Sequence, residues 1–231
     1  MTPPRLVSVN FASGSDSPNL RPGLPRVFLL SPANTTAIRG RLLLNRNSKF
    51  ELARRIQRQG ATLAELFSFI SSLYFRGKLA YAEAFSQSPA GFPSTLVMTS
   101  SRGLLPPETL ITLDDLLEMS AVPIDPGDAR YRRPLCRDSR ALARALPAGS
   151  QIVLLGSIAS CKYIDPLLEI FGGSLLFPKQ FVGRGDMSRG SLMLRCARAG
   201  IELDYVSADS AVRRRSRSPK LFLNEDFNGL M

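Results

Sequence analysis

The segment Gly183-Arg184-Gly185-Asp186-Met187-Ser188-Arg189-Gly190 has the residue types of an anion site. Its glycines free the backbone, and Arg184 and Arg189 supply fixed positive charge. Asp186 and Ser188 are good helix N-caps, and Leu192, Met193, Leu194, Cys196 and Ala197 then follow at helical spacing. A basic loop entering a helix N-terminus is suited to phosphate. Asp186 has a second chemical use, as a carboxylate facing an oxocarbenium-like centre; capping a helix is its simpler one.

Other loops carry comparable residues. Ser31-Pro32-Ala33-Asn34-Thr35-Thr36 offers hydroxyls and an amide to a base edge or a phosphate, and these are also ordinary turn residues. In Ser100-Ser101-Arg102-Gly103, Ser101 and Arg102 follow an apolar run, and the guanidinium can meet an oxyanion through two parallel bonds. Gly156-Ser157-Ile158-Ala159-Ser160-Cys161-Lys162-Tyr163 is a small-residue turn opening a helix. It lacks the GxxxxGK[ST] spacing of a P-loop. Lys162 or Tyr163 would serve as proton donor or acceptor if desolvated. Phe75-Arg76-Gly77-Lys78 sets an aromatic beside two cations, and Arg39, Arg41, Arg46, Lys49, Arg54, Arg55 and Arg58 form a basic run against Glu51 alone. Both read as phosphate contacts or as solvated helix faces.

Composition narrows the chemistry. The 231 residues carry a net charge of +11 and no histidine. Serine–histidine and cysteine–histidine nucleophiles are therefore excluded, as is any histidine-ligated metal. No tight carboxylate cluster suggests a metal, and no cofactor is expected. Cys136, Cys161 and Cys196 are widely spaced and form no CxxC pair, which fits a reducing cytoplasm. The positive charge points to a polyanionic partner, nucleic acid or nucleotide before membrane, since no run of 18 apolar residues occurs.

These residues need a scaffold. Residues 1–25 read as a disordered leader rich in Pro, Ser, Gly and Asn, and 211–231 as a basic tail. Between them, apolar runs at 26–30, 95–99 and 152–156 predict buried strands, with weaker ones at 175–177 and 203–206. Helical patterns fill the gaps. A capping box at Ser48–Glu51 opens a helix ending at Gly60, and Thr62 caps a second through Ser72. A third runs from Tyr74 to about Phe85, Thr112 opens a short one, and others span about 133–146 and Ser160 to Phe171. Strands alternating with helices predict one α/β domain over 26–210, with a largely parallel central sheet flanked by helices. Ligands bind at the carboxyl ends of such strands, so the loops after Leu30, Thr99 and Leu155 should converge.

Several stretches, in this order, resemble the YaaA family of peroxide-stress proteins and related bacterial and phage domains of unknown function. Leu30-Ser31-Pro32-Ala33 resembles the family's opening motif, Ser101-Arg102-Gly103-Leu104-Leu105-Pro106-Pro107 its central segment, and Met187-Ser188-Arg189 its late Met-Ser-Arg. Phe75-Arg76 and Tyr81-Ala82-Glu83 are similar to a pattern of the related domains. The family's lysine after its opening motif is Asn34 here. The resemblance implies a cytoplasmic DNA-binding α/β protein of an oxidative-stress response.

Three functions follow as expectations. One is a nucleic-acid- or nucleotide-binding protein using Ser31, Asn34, Arg76, Lys78, Ser101, Arg102, Arg184, Ser188 and Arg189. Another is an enzyme acting on a nucleobase, an N-glycosidase or base transferase, with Asp186, Lys162 and Tyr163 as its chemistry. The third is a scaffold docking an acidic protein partner.

Overall fold

The computed structural model describes residues 25–88, 90–158 and 161–210. The expected leader and tail, and Ser160 as a cap, lie outside the described residues, apart from Pro25.

β1 (Arg26–Leu30) is buried at every position, which is why its apolar run does not alternate. α1 (Ile38–Leu44) and α2 (Glu51–Arg58) follow. The expected Ser48 capping box is not formed: Phe50 takes the N-cap position, and the Ser48 hydroxyl instead donates to the Leu42 carbonyl. After β2 (Ala61–Thr62), α3 (Leu63–Phe85) opens on a capping box between Thr62 and Glu65. The two helices expected over 62–85 stack into this one element, broken where expected, at Ser72 (φ 43°, ψ −116°). A serine at positive φ stores strain, of the kind concentrated at functional sites.

β3 (Thr95–Met98), β4 (Leu104–Leu105) and β5 (Leu110–Ile111) lead to α4 (Leu113–Ala121), capped by Thr112 with Asp115. α5 (Ala129–Ala145) starts four residues before the expected Arg133, because the Asp128 side chain caps it at Arg130 N–H. β6 (Gln151–Leu155), α6 (Cys161–Phe171), β7 (Leu175–Pro178), α7 (Asp186–Ala199) and β8 (Tyr205–Ser207) complete the described chain.

The protein is an α/β fold with a largely parallel sheet flanked by helices. The strand order is β4-β3-β1-β6-β7-β8. β1 lies parallel to both β3 and β6, β6 is parallel to β7, and the short edge strands β4 and β8 are antiparallel. From β1 the chain moves to β3 on one side and later returns to β6 on the other. The order therefore reverses between β1 and β6, and a crevice opens at their carboxyl ends.

Glycines set two close approaches around this crevice. A Cβ on Gly40 would lie 1.9 Å from the Thr35 carbonyl oxygen, so α1 packs directly onto the loop after β1. Gly40→Ala must displace that loop, and overpacking of this kind costs about 1–3 kcal/mol. Urea denaturation of the variant should show the loss; an unchanged midpoint would refute the tight packing. The second approach joins α3 to α7. A Cβ on Gly77 would meet the Gly190 carbonyl oxygen at 2.7 Å, and one on Gly190 would meet the Leu73 carbonyl oxygen at 2.8 Å. Backbone contact at this crossing brings the first turn of α7 beside Tyr74 and Lys78.

Candidate functional site

Ser31, the first residue after β1, is held in the crevice by its backbone, whose N–H donates to the Leu155 carbonyl at 3.1 Å. Gly156 packs against it so closely that a Cβ there would lie 2.9 Å from Ser31 Cβ. Lys78 reaches Ser31 from α3. Its Nζ donates to the Ser31 carbonyl at 2.9 Å and to Ser31 Oγ at 2.7 Å, and sits 4.0 Å from the centroid of the Tyr74 ring. Lys78 is only 1% exposed. Burial pushes its ammonium down to about 7; the Asp186 charge opposes that shift and the Arg189 charge adds to it.

α7 and α6 complete the cluster. Arg189 is buried and donates from Nε and Nη2 to the Phe181 carbonyl at 3.2 and 3.1 Å, with Nη1 3.5 Å from Asp186 Oδ1. The Asp186 side chain is 65% exposed, so a buried cation is paired with a carboxylate open to solvent. The Tyr74 phenol is pushed well above its ordinary value by burial, with Arg189 pulling the other way. Tyr163, in the first turn of α6, is likewise raised by burial. The Ser157 backbone and the Ser31 side chain oppose that shift by hydrogen bonding to its oxygen.

Above this cluster opens a cleft of about 560 Å³, lined among others by Asn34, Thr36, Phe67, Ser100, Lys162 and Tyr163. The loops after β1, β3 and β6 all contribute to its wall, as expected for parallel strands ending on one edge. Tyr163 belongs to both the cleft and the buried cluster, and links them.

The predicted site residues separate into groups. Asn34 and Lys162 reach the cleft wall, although Asn34 Oδ1 already accepts from the Thr36 N–H and hydroxyl. Ser31, Lys78 and Tyr163 meet at its floor, and Asp186 and Arg189 act on them electrostatically. Ser101 and Arg102 turn toward α4 instead. The Arg102 guanidinium pairs with Asp115 and Glu118, each at 2.6 Å, so two carboxylates already occupy it. Arg76 and Arg184 are exposed, and Arg184 donates to the exposed Ser188 at 3.2 Å. Neither Asp186 nor Ser188 is an N-cap. Gly185 takes that position, because a residue without a side chain leaves the first turn of α7 open.

Tyr74 escaped the sequence reading, and so did the buried role of Lys78. A signal was present: Lys78 lies four residues from both Tyr74 and Ala82, on the inward stripe of α3. Among the described residues there is no group of three or more potential metal ligands, and no helix long and apolar enough to cross a membrane. No family model, curated protein or solved structure shows a significant match to this chain. The functional argument therefore rests on the crevice itself.

Proposed function

We propose that the protein binds a nucleotide or a nucleic acid, with one nucleotide unit entering the cleft at the carboxyl ends of β1, β3 and β6. The observation that carries this reading is the junction of three strand-end loops at one cleft beside the point where strand order reverses. The cleft wall supplies matching chemistry: Lys162 for a phosphate, Asn34 and the threonine hydroxyls for polar edges, and Phe67 for an apolar face. The net charge of +11, with exposed Arg39, Arg41, Arg54 and Arg58 on α1 and α2, favours a polyanion over a neutral ligand. The cytoplasmic DNA binding implied by the YaaA-like motifs belongs to the same reading.

Fluorescence anisotropy with a labelled oligonucleotide, competed with ATP, tests it. Affinity should fall steeply with salt, as counterion release requires. Lys162→Ala should weaken binding about tenfold or more, the scale of one charge-assisted hydrogen bond. Absence of binding, or an affinity flat from low to moderate salt, would overturn the proposal.

A further inference from the structure

The floor of the cleft holds more than binding needs. Lys78 lies beneath the cleft, is not among the residues of its wall, and spends two donors on Ser31. A lysine retained there solely for packing would be an expensive choice, since burying an ammonium disfavours its charged form. Its contact with Ser31 Oγ also has a direction. Because Nζ donates to Oγ, the Ser31 hydroxyl keeps its own proton for another acceptor, and the Tyr163 phenol is beside it. Tyr163 in turn faces the cleft. The groups acting on Lys78 come from each surrounding element: Tyr74 on α3, Ser31 after β1, and Asp186 and Arg189 on α7.

We infer that Tyr163, Ser31 and Lys78 form a proton relay, and that the cleft is an acid–base site cleaving the bond between a nucleobase and its sugar. This rests on the nucleotide-binding reading and adds a reaction to it. Tyr163 gives its proton to a ring nitrogen of the base as the carbon–nitrogen bond breaks, and the bonding electron pair leaves with the base. Ser31 passes its proton to the Tyr163 oxygen, and the Lys78 ammonium passes one to Ser31, which leaves a neutral amine. Water adds to the sugar carbon, and the proton it sheds restores the ammonium. Asp186 is the carboxylate whose charge reaches Lys78, Tyr74 and Tyr163, and it stabilises the positive sugar as it forms. Tyr163 is the catalytic residue of this scheme; Ser31 and Lys78 act through it. Such a relay works best when its reservoir titrates near the working pH, and Lys78 is displaced toward that range.

The test incubates the full chain with DNA, tRNA and nucleosides across pH 6 to 9, and measures released base by mass spectrometry. Lys78 is titrated in parallel by NMR of its labelled side chain. The expected result is base release whose pH profile breaks at the Lys78 midpoint. Tyr163→Phe should lower release by about 10²-fold or more, the usual contribution of general acid catalysis, without weakening oligonucleotide binding. Ser31→Ala should shift the Lys78 midpoint, which a purely structural serine far from the proton path would not do. Oligonucleotide binding without release of any base overturns the relay and leaves the binding reading intact. A Lys78 midpoint at the ordinary lysine value overturns the relay as well. Absence of binding by the wild-type chain overturns the earlier reading instead.

Discussion

Raising the pH from about 7 to about 10 should stabilise the folded protein by on the order of 4 kcal/mol, with Lys78 as the source. The sign follows from proton counts. In the unfolded chain Lys78 holds its proton up to about pH 10.4, whereas in the fold burial pushes it down to about 7. Over that interval the unfolded state binds more protons, so unfolding becomes harder as pH rises. Below about 7 the native state must hold a buried ammonium, and the full cost is present. Above about 10 the trend should reverse. The phenols of Tyr74, Tyr81, Tyr131 and Tyr205 are all raised by burial, so the unfolded chain sheds those protons first and gains by doing so. Stability should therefore peak near pH 10. Urea denaturation at a series of pH values measures the curve. Lys78→Met keeps most of the stem's volume and removes the titrating group. It should flatten the rise while leaving the fall. A wild-type curve already flat between pH 7 and 10 would show that Lys78 is not a buried titrating amine.

The crossing of α3 and α7 carries the second large effect. Gly190→Ala places a methyl 2.8 Å from the Leu73 carbonyl oxygen and 2.9 Å from Tyr74 Cα, and both obstacles are backbone. Neither can yield by a rotamer change, so the helices must separate, at a cost of about 1–3 kcal/mol. Gly77→Ala strains the same contact from the other side. Because the two methyls force one separation, the double variant should lose less than the sum of the single ones. Separation also withdraws Asp186 and Arg189 from Lys78. The Lys78 midpoint, read by NMR, should move in both variants, since those two charges act on it in opposite directions and at different strengths. Unchanged thermal stability in either variant would contradict the close approach.

Parts of the fold are local, and these were legible. The unbroken apolar runs of β1, β3 and β6 signal strands buried on both faces, and all three occur. The Thr62–Glu65 and Thr112–Asp115 boxes need only four consecutive residues, and both form. The Ser48 box failed because its hydroxyl found the Leu42 carbonyl, a partner supplied by the turn from α1 into α2. Even the break at Ser72 was visible, because the apolar pattern of α3 loses its phase there.

The candidate site was legible only in its residue types. Sequence periodicity and loop placement determined that the protein is α/β and that the loops after β1, β3 and β6 face one way, since side-chain period and strand direction are local properties. They also marked Tyr163, Asp186 and Lys162 as groups able to carry chemistry. Tertiary structure alone decided which of these meet. Lys78, expected beside Arg76 as a phosphate contact, turns inward to Ser31, 47 residues away in the chain. Arg102, expected at an anion, is neutralised by carboxylates of the helix that follows. The physical reason is the same in both cases. A cation's role depends on what lies within a few ångströms of it and on how much water remains there, and only the folded chain settles either.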